Sequence, residues 1–327
     1  MFRLLRNNSP FAVIFLFIFA LVAKMNVLLH PAVPVMIPGH FLYNYVLRGM
    51  QVVFGRAAFA YTMLSIILIF IQSIYLNSIA VRHKLFPRNS YMTAFVYLLL
   101  TSIYPRFSFF NETIIFNWLL LGAIDIMFSF TQTTQPRKLI YNAALLFSLA
   151  ALFQFTGLAF VLLLLIGMVM FRPGNLGEWS VALLGYITPI YFLVSILFLV
   201  NKLYLFTHWP HIGFSISPLK NSVGSLIATM MGLFILLVSG IFAMRKNVPM
   251  SNIYIRRDWI ALSFYLIISM MVAFLTDKAV ESAWLLALPP LSIICTHAMA
   301  LEKNKRFSNF IFYFSLIFLV FCLWANK

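Results

Sequence analysis

Acid is scarce in this chain. Seven of its 327 residues are Asp or Glu, and charged residues of either sign make up 9%. A soluble domain carries about 25%, so an ordinary water-exposed surface is excluded. The two cysteines, Cys295 and Cys322, both fall inside apolar runs, where they read as small apolar side chains. That rules out a disulfide framework and a thiolate metal centre. No Walker loop, no GxGxxG followed by a carboxylate, no GxSxG and no HExxH occurs. ATP-driven transport and soluble-cofactor chemistry therefore have no motif to rest on. Internal repeats, low-complexity tracts and a separate soluble domain are absent as well.

What is present is apolar. Hydrophobic residues reach 63% and the mean hydropathy is +0.98, against about 45 to 50% apolar in soluble proteins. The fold class expected is all-α, a polytopic transmembrane bundle in a single integral membrane domain over residues 1–327. Eleven apolar stretches are candidate spans: 11–29, 58–80, 91–104, 113–130, 140–153, 155–171, 181–200, 221–244, 259–276, 283–299 and 308–325. A bilayer core of about 30 Å takes roughly 17 to 25 helical residues, so several of these are short. Their unbroken character excludes a β-barrel, whose strands alternate apolar and polar residues. The first span follows MFRLLR and resembles a signal peptide in outline, but is read as an uncleaved first helix.

The net charge of +16 would suit nucleic acid only if the cations were gathered on a soluble face. They sit in short loops instead, so no nucleic acid partner is expected. With the amino terminus inside, Arg3/Arg6, Arg82/Lys84/Arg88, Arg137/Lys138/Arg172, Arg245/Lys246/Arg256/Arg257 and Lys303/Lys305/Arg306 all fall on the inner side. That is 15 of the 23 Lys and Arg. The bias matches the positive-inside rule and predicts eleven helices, amino terminus in and carboxyl terminus out, in a bacterial-type inner membrane.

Only two connections are long, and both fall outside. Residues 30–57 contain HPAVPVMIPGH followed by FLYNYVLRGMQVVFG. There Phe41, Leu42, Tyr45, Val46 and Met50 recur at helical spacing, with Asn44, Arg48 and Gln51 on a polar stripe, which predicts a helix along the membrane surface. Residues 201–221 form an aromatic loop suited to headgroup depth. An aqueous site therefore belongs on the outer side.

Glu112, in PRFSFFNETIIFNWLLLG, stands at the mouth of the fourth span. A carboxylate there either stabilises the helix amino terminus or works on a ligand. The preceding Asn111 is a good N-cap residue, and Thr113 could serve as one. Asp125 lies thirteen residues further on, about 20 Å along a regular helix, so the two acids cannot share a substrate atom. Asp125 is expected to meet an inner basic group such as Arg137 or Arg172. Among six histidines only His208 and His211 are close, in HWPH with no neighbouring carboxylate, so no metal site is assigned. No cofactor follows from these residues.

The layout of the first two hundred residues resembles the GT-C superfamily of polytopic glycosyltransferases. Those enzymes place a cytoplasmic amino terminus and one helix before a long outer loop with a surface helix, here HPAVPVMIPGHFLYNYVLRGMQVVFG. RAAFAYTMLSIILIFIQSIYLNSIAVRHKLFP resembles their second helix and basic inner turn, and LFQFTGLAFVLLLLIGMVMFRP their paired short helices. In AFVYLLLTSIYPRFSFFNETIIFNWLLLGAIDIMF, Glu112 takes the place of the acid that supports metal or acceptor binding. The family's first outer loop normally supplies another acid; residues 30–57 contain none, and His40 stands roughly in its place. The resemblance implies a polyprenyl-phosphate-linked sugar or related lipid as partner. Glu112 would orient its polar head, Arg48, Arg56 and Arg106 would attract the phosphate, and His40 would act as base. Two other classes fit the same composition. One is a nonenzymatic membrane subunit or scaffold; the other is a secondary transporter, although most spans lack the midplane charges transporters use.

Overall fold

A computed structural model describes residues 5–6, 11–37, 40–131, 135–173, 176–204, 223–276, 281–300 and 305–325. Among them every regular element is helical. In chain order the helices are α1 (Phe11–Ala23), α2 (Met25–Leu29), α3 (Phe41–Phe54), α4 (Ala58–Arg82), α5 (Met92–Ser102), α6 (Glu112–Phe128), α7 (Pro136–Ala151), α8 (Val161–Phe171), α9 (Leu176–Leu199), α10 (Val223–Asn247), α11 (Ile253–Leu275), α12 (Leu288–Met299) and α13 (Lys305–Ala325). Single 3-10 turns at Pro105–Ser108, Phe155–Phe160 and Glu281–Ala287 lead into α6, α8 and α12.

Each of the eleven apolar stretches falls on helix, but they are not equivalent. Seven segments are long and apolar enough to cross a membrane: Ala58–Arg82, Glu112–Thr131, Leu176–Leu199, Ile227–Met250, Ile253–Leu275, Ser282–Met299 and Lys305–Ala325. Phe11–Ala23, Met92–Ser102 and Phe155–Phe171 are apolar but shorter. The shortness of α5 has a packing reason. All eleven of its residues are buried, so it meets protein on every side, packed among α1, α4, α12 and α13. At 1.5 Å per residue it spans about 16 Å, half a bilayer core. α12 is likewise buried at all twelve positions.

α9 and α10 lie at the periphery, with Leu183, Leu184, Ile187, Tyr191 and Phe192 of α9 and Met231, Phe234 and Phe242 of α10 exposed. Each is docked by a glycine. A Cβ at Gly185 would come within 2.7 Å of the Tyr141 carbonyl oxygen on α7, and one at Gly240 would collide with the Ile294 carbonyl on α12. With little hydrophobic drive between helices in lipid, such close backbone approach is what holds membrane helices together.

α4 and α6 run parallel and are tied at three levels. Ser65 donates to the Ser108 carbonyl, Gln72 to the Ile114 carbonyl at 2.7 Å, and Arg82 to Asp125 at 2.5 Å. The pairs are 43, 42 and 43 residues apart, one register maintained from end to end.

Contacts also sort the helix ends. The Leu5 carbonyl accepts from Tyr91 N, Arg82 meets Asp125, Arg172 reaches the Phe130 carbonyl, Phe86 packs on Trp259 and His297, and Ser308 donates to Met299. These contacts gather exposed Arg82, Lys84, Arg88, Arg137, Lys138, Arg245, Arg256, Lys305 and Arg306 at one end. The opposite end holds α3, the start of α6 and the end of α7.

Candidate functional site

At that opposite end the chain enters α6 through Asn111, whose backbone is extended (φ −146°, ψ 167°). Its side-chain oxygen accepts from Ile114 N at 3.0 Å, and its amide donates to the Phe109 carbonyl at 3.0 Å. The side-chain cap is therefore complete without Glu112. Glu112 is 0% exposed, and neither carboxylate oxygen has a hydrogen-bond partner among the described residues. Placing it at the first helical position gives it the favourable end of the helix dipole, with its own backbone N–H as the only donor that bears on it among the described residues. A buried carboxyl in that state is carried neutral, or meets a donor or cation from elsewhere.

α3 packs beside the entry to α6. Tyr43 and Leu47 turn inward and pack with Tyr61, Phe110 and Phe153, flanked by Ile115 and Leu119 of α6. The Tyr43 ring stacks on Phe110 at 6.3 Å. Burial, followed by the charge of Glu112 and then Tyr61, pushes the Tyr43 phenol above its usual range. His40 precedes the helix, and its Nδ1 lies 3.0 Å from the Phe153 carbonyl. Because a carbonyl only accepts, Nδ1 carries the proton and the basic lone pair is on Nε2.

A helix lies where the spacing predicts, and Leu42, Val46 and Met50 of its expected apolar stripe pack against the cluster, but Tyr45 does not. Tyr45 is 47% exposed, with the Arg48 guanidinium 5.8 Å from its ring centroid, while Tyr43 and Leu47 take the inward positions. Asn44, expected on the polar stripe, instead clips back onto the chain. Its Oδ1 accepts from Ile37 N at 3.0 Å and its Nδ2 donates to the Ile37 carbonyl at 2.7 Å. A satisfied backbone at the helix start outweighs solvation of one amide.

The site residues thus separate into two groups. His40 stands at the start of α3, bonded to the Phe153 carbonyl, and Glu112 at the start of α6. Arg48, Arg56 and Arg106 are exposed at the same end, two on or just after α3 and one in the turn before α6.

Sequence reasoning passed over Lys24 as a charge within the first span. It lies between α1 and α2, 1% exposed. Its ammonium donates to Ser108 Oγ at 2.6 Å, to the Thr101 carbonyl at 3.2 Å and to Thr101 Oγ1 at 3.3 Å. A layer of buried amides and hydroxyls continues from there. Tyr97 donates to Gln72 at 2.9 Å, Thr113 pairs with Ser282 at 3.2 Å, Gln154 donates to Thr276 at 3.0 Å, and Asn117 donates to the Leu285 carbonyl at 3.1 Å. Thr113 and Asn117, four apart on α6, were the readable sign: they present a polar stripe to the turn at Glu281–Ala287.

Asp125 meets an inner basic group as expected, but the group is Arg82 rather than Arg137 or Arg172. It receives Arg82 Nη1 at 2.5 Å, His83 Nε2 at 2.9 Å and the Tyr75 hydroxyl at 3.1 Å. The parallel register of α4 and α6 delivers Arg82 and His83 to that level. Arg172 donates instead to the Phe130 carbonyl, at 3.0 and 2.7 Å, and comes within 4.0 Å of Glu178. His208, His211 and most of the aromatic loop 201–221 lie outside the described residues. Among those described, no three His, Cys, Asp or Glu side chains are grouped to hold a metal ion.

No protein-family profile matches this chain, and neither a curated protein nor a solved structure is detectably similar to it.

Proposed function

We propose that this is a multi-pass protein of a bacterial-type inner membrane that handles a lipid-linked polar head group at its outer face, in a GT-C-like arrangement of eleven crossings with the amino terminus inside. The seven long apolar helices fit a multi-pass membrane protein. The gathering of exposed arginines and lysines at one end supports assigning that end to the inside.

One observation carries the functional reading: Glu112 is wholly buried and no other described residue donates to its carboxylate, at the end opposite the basic one. Its capping work is already done by Asn111. In this reading Glu112 accepts hydrogen bonds from the polar head and orients it. His40 acts as base through Nε2, with the Phe153 carbonyl fixing its tautomer. Exposed Arg48, Arg56 and Arg106 attract the phosphate.

Glu112→Gln keeps the shape and removes the charge. It is expected to lower outer-face glycan product at least about tenfold, in keeping with loss of an acid–base or orienting group, at unchanged protein level. Unchanged product at unchanged protein level sinks the reading and leaves a nonenzymatic subunit or a transporter.

A further inference from the structure

Three helices are tied to the last turn of α12, and each brings an exposed cation to it. Asn247, the last residue of α10, meets His297 Nε2 through its amide nitrogen at 3.4 Å. Trp259, in the second turn of α11, stands T-shaped to the same imidazole with ring centroids 5.0 Å apart. Ser308, in the first turn of α13, donates to the Met299 carbonyl. The packing of α10 on α13 agrees with this. Thr229 Oγ1 lies 3.8 Å from Cys322 Sγ, and a Cβ at Gly232 would collide with the Phe318 ring, so the two helices run antiparallel. Thirteen residues on from Gly232 is Arg245, and thirteen back from Phe318 is Lys305, each about 20 Å further along its helix. Arg245 is therefore level with Lys305 and Arg306, although 60 residues separate it from Lys305 in the chain. Arg256 and Arg257 stand just before Trp259. Of these five cations four are exposed and Arg257 is half-buried, and none is in an ion pair among the described residues. The one described acid in these stretches, Asp258, is buried and pairs with none of them, and Glu302 lies outside the described residues. The carbonyl end of α12 offsets only about half an elementary charge. The rest calls for an anion.

The same helices show what kind of anion. One turn deeper, on the face of each exposed arginine, stands an exposed apolar residue: Phe242 below Arg245, Ile260 below Arg256 and Phe310 below Arg306. Met250, Ile253 and Tyr254, at the turn from α10 into α11, are exposed as well. A soluble anion has no use for such neighbours. An amphiphile lying along the helices meets charge first and hydrocarbon next, in the order these residues present. We propose that the inner end of α12 carries a binding site for an anionic phospholipid of the inner leaflet, with Arg245, Lys305 and Arg306 holding its phosphate, Arg256 on the flank, and Phe242 and Phe310 against its acyl chains. Guanidinium forks match phosphate oxygens, and basic clusters between membrane helices on the inner side are suited to anionic head groups. The site rests on the multi-pass reading and on the basic end being the inner one, and not on any role of Glu112.

The test is a lipid titration of the full chain in detergent, read by native mass spectrometry, with phosphatidylglycerol and phosphatidylcholine of equal chain length. The native chain binds phosphatidylglycerol about tenfold more tightly. Arg245→Gln/Arg306→Gln removes most of that preference, while Phe242→Ser/Phe310→Ser weakens both lipids with the charge untouched. Arg137→Gln/Lys138→Gln takes the same charge from the start of α7, which is at the same end but packs on α6 and α9, and leaves the preference within about twofold of native. Lys305→Gln alone, expected to weaken phosphatidylglycerol about threefold, carries the comparison if the double variant does not accumulate. Equal losses in the two charge-removing double variants would mean diffuse surface charge and overturn the site. A native chain that binds the two lipids alike would overturn it too. So would displacement of phosphatidylglycerol by free glycerol 3-phosphate, which would make this a site for a soluble anion. Binding is measured without turnover, so this site and the Glu112 reading can fail separately.

Discussion

The two carboxylates of α6 sit at opposite ends of one helix and are treated in opposite ways. Asp125 is surrounded: Arg82, His83 and Tyr75 all reach it from α4 and its C-terminal cap. Glu112 is fully buried and meets no donor from any other described residue. Both are acids in an apolar helix, so composition does not separate them. What separates them is the partner helix. The end of α4 brings Arg82 and His83 to Asp125, while the start of α6 faces the aromatic underside of α3. A paired acid at a helix junction works as a fastening. An unpaired one is a cost the fold carries, and that cost marks Glu112 rather than Asp125 as the functional candidate.

The sharpest way to break the comparison is Asp125→Ala. Removing one partner of a buried pair costs about 3 to 5 kcal/mol, and the lower end is expected here because the Arg82 side chain is 56% exposed and water can recover it. Thermal unfolding in detergent would show this as a large drop in Tm. An unchanged Tm would mean that the Arg82–Asp125 contact fastens nothing.

Lys24→Met asks whether the end around Glu112 tolerates loss of polar groups in general. It strips two hydrogen bonds to Thr101 at the end of α5 and one to Ser108 in the turn before α6, and leaves the Thr101 carbonyl and Ser108 hydroxyl without that donor. A loss of about 2 kcal/mol is expected, the range for bonds to a charged group. If unfolding of this variant matched the native chain, Lys24 would have no structural role.

Asn111→Ala tests which residue caps α6. Losing the bond to Ile114 N should cost about 1 kcal/mol, as N-cap truncations do, visible as a small shift of the unfolding midpoint. The smallest effect is expected from Glu112→Gln, within about 0.5 kcal/mol of the native chain or slightly more stable, because no partner is lost and a buried acid becomes a neutral amide. A loss above about 2 kcal/mol in that variant would show a structural role for Glu112 and erase the contrast with Asp125.

Much of the scaffold was readable from hydropathy. Every apolar run lies on helix, and the residue spacing placed a helix at 41–54. Helix boundaries were harder where helix and apolar run part company. α11 begins at Ile253, six residues before the expected span, because Arg256, Arg257 and Asp258 continue the helix without adding hydropathy. The cap at Asn111 was legible too, being a local bond three residues long. The partners of Asp125 and Lys24 were not. They lie 42, 43, 50 and more than 70 residues away, and nothing in local spacing ranks Arg82 above Arg137 or Arg172. The face of α3 was legible in part: Leu42, Val46 and Met50 pack inward as their spacing suggests, while Tyr43 and Leu47 join them and Tyr45 turns out, because the surface the helix lands on chooses among neighbouring apolar positions.

By itself, then, the sequence determined that this chain is helical and apolar, that its cations concentrate between particular runs, and that acids are rare enough for each to matter. Those are properties of short windows, governed by transfer of side chains and backbone out of water. Which acid is satisfied and which is left bare, which lysine is buried, and which face of α3 turns inward were decided only by tertiary structure. The physical reason is range. Hydrogen bonds and ion pairs act over a few ångströms, and residues far apart in the chain come within that distance only once the helices have packed.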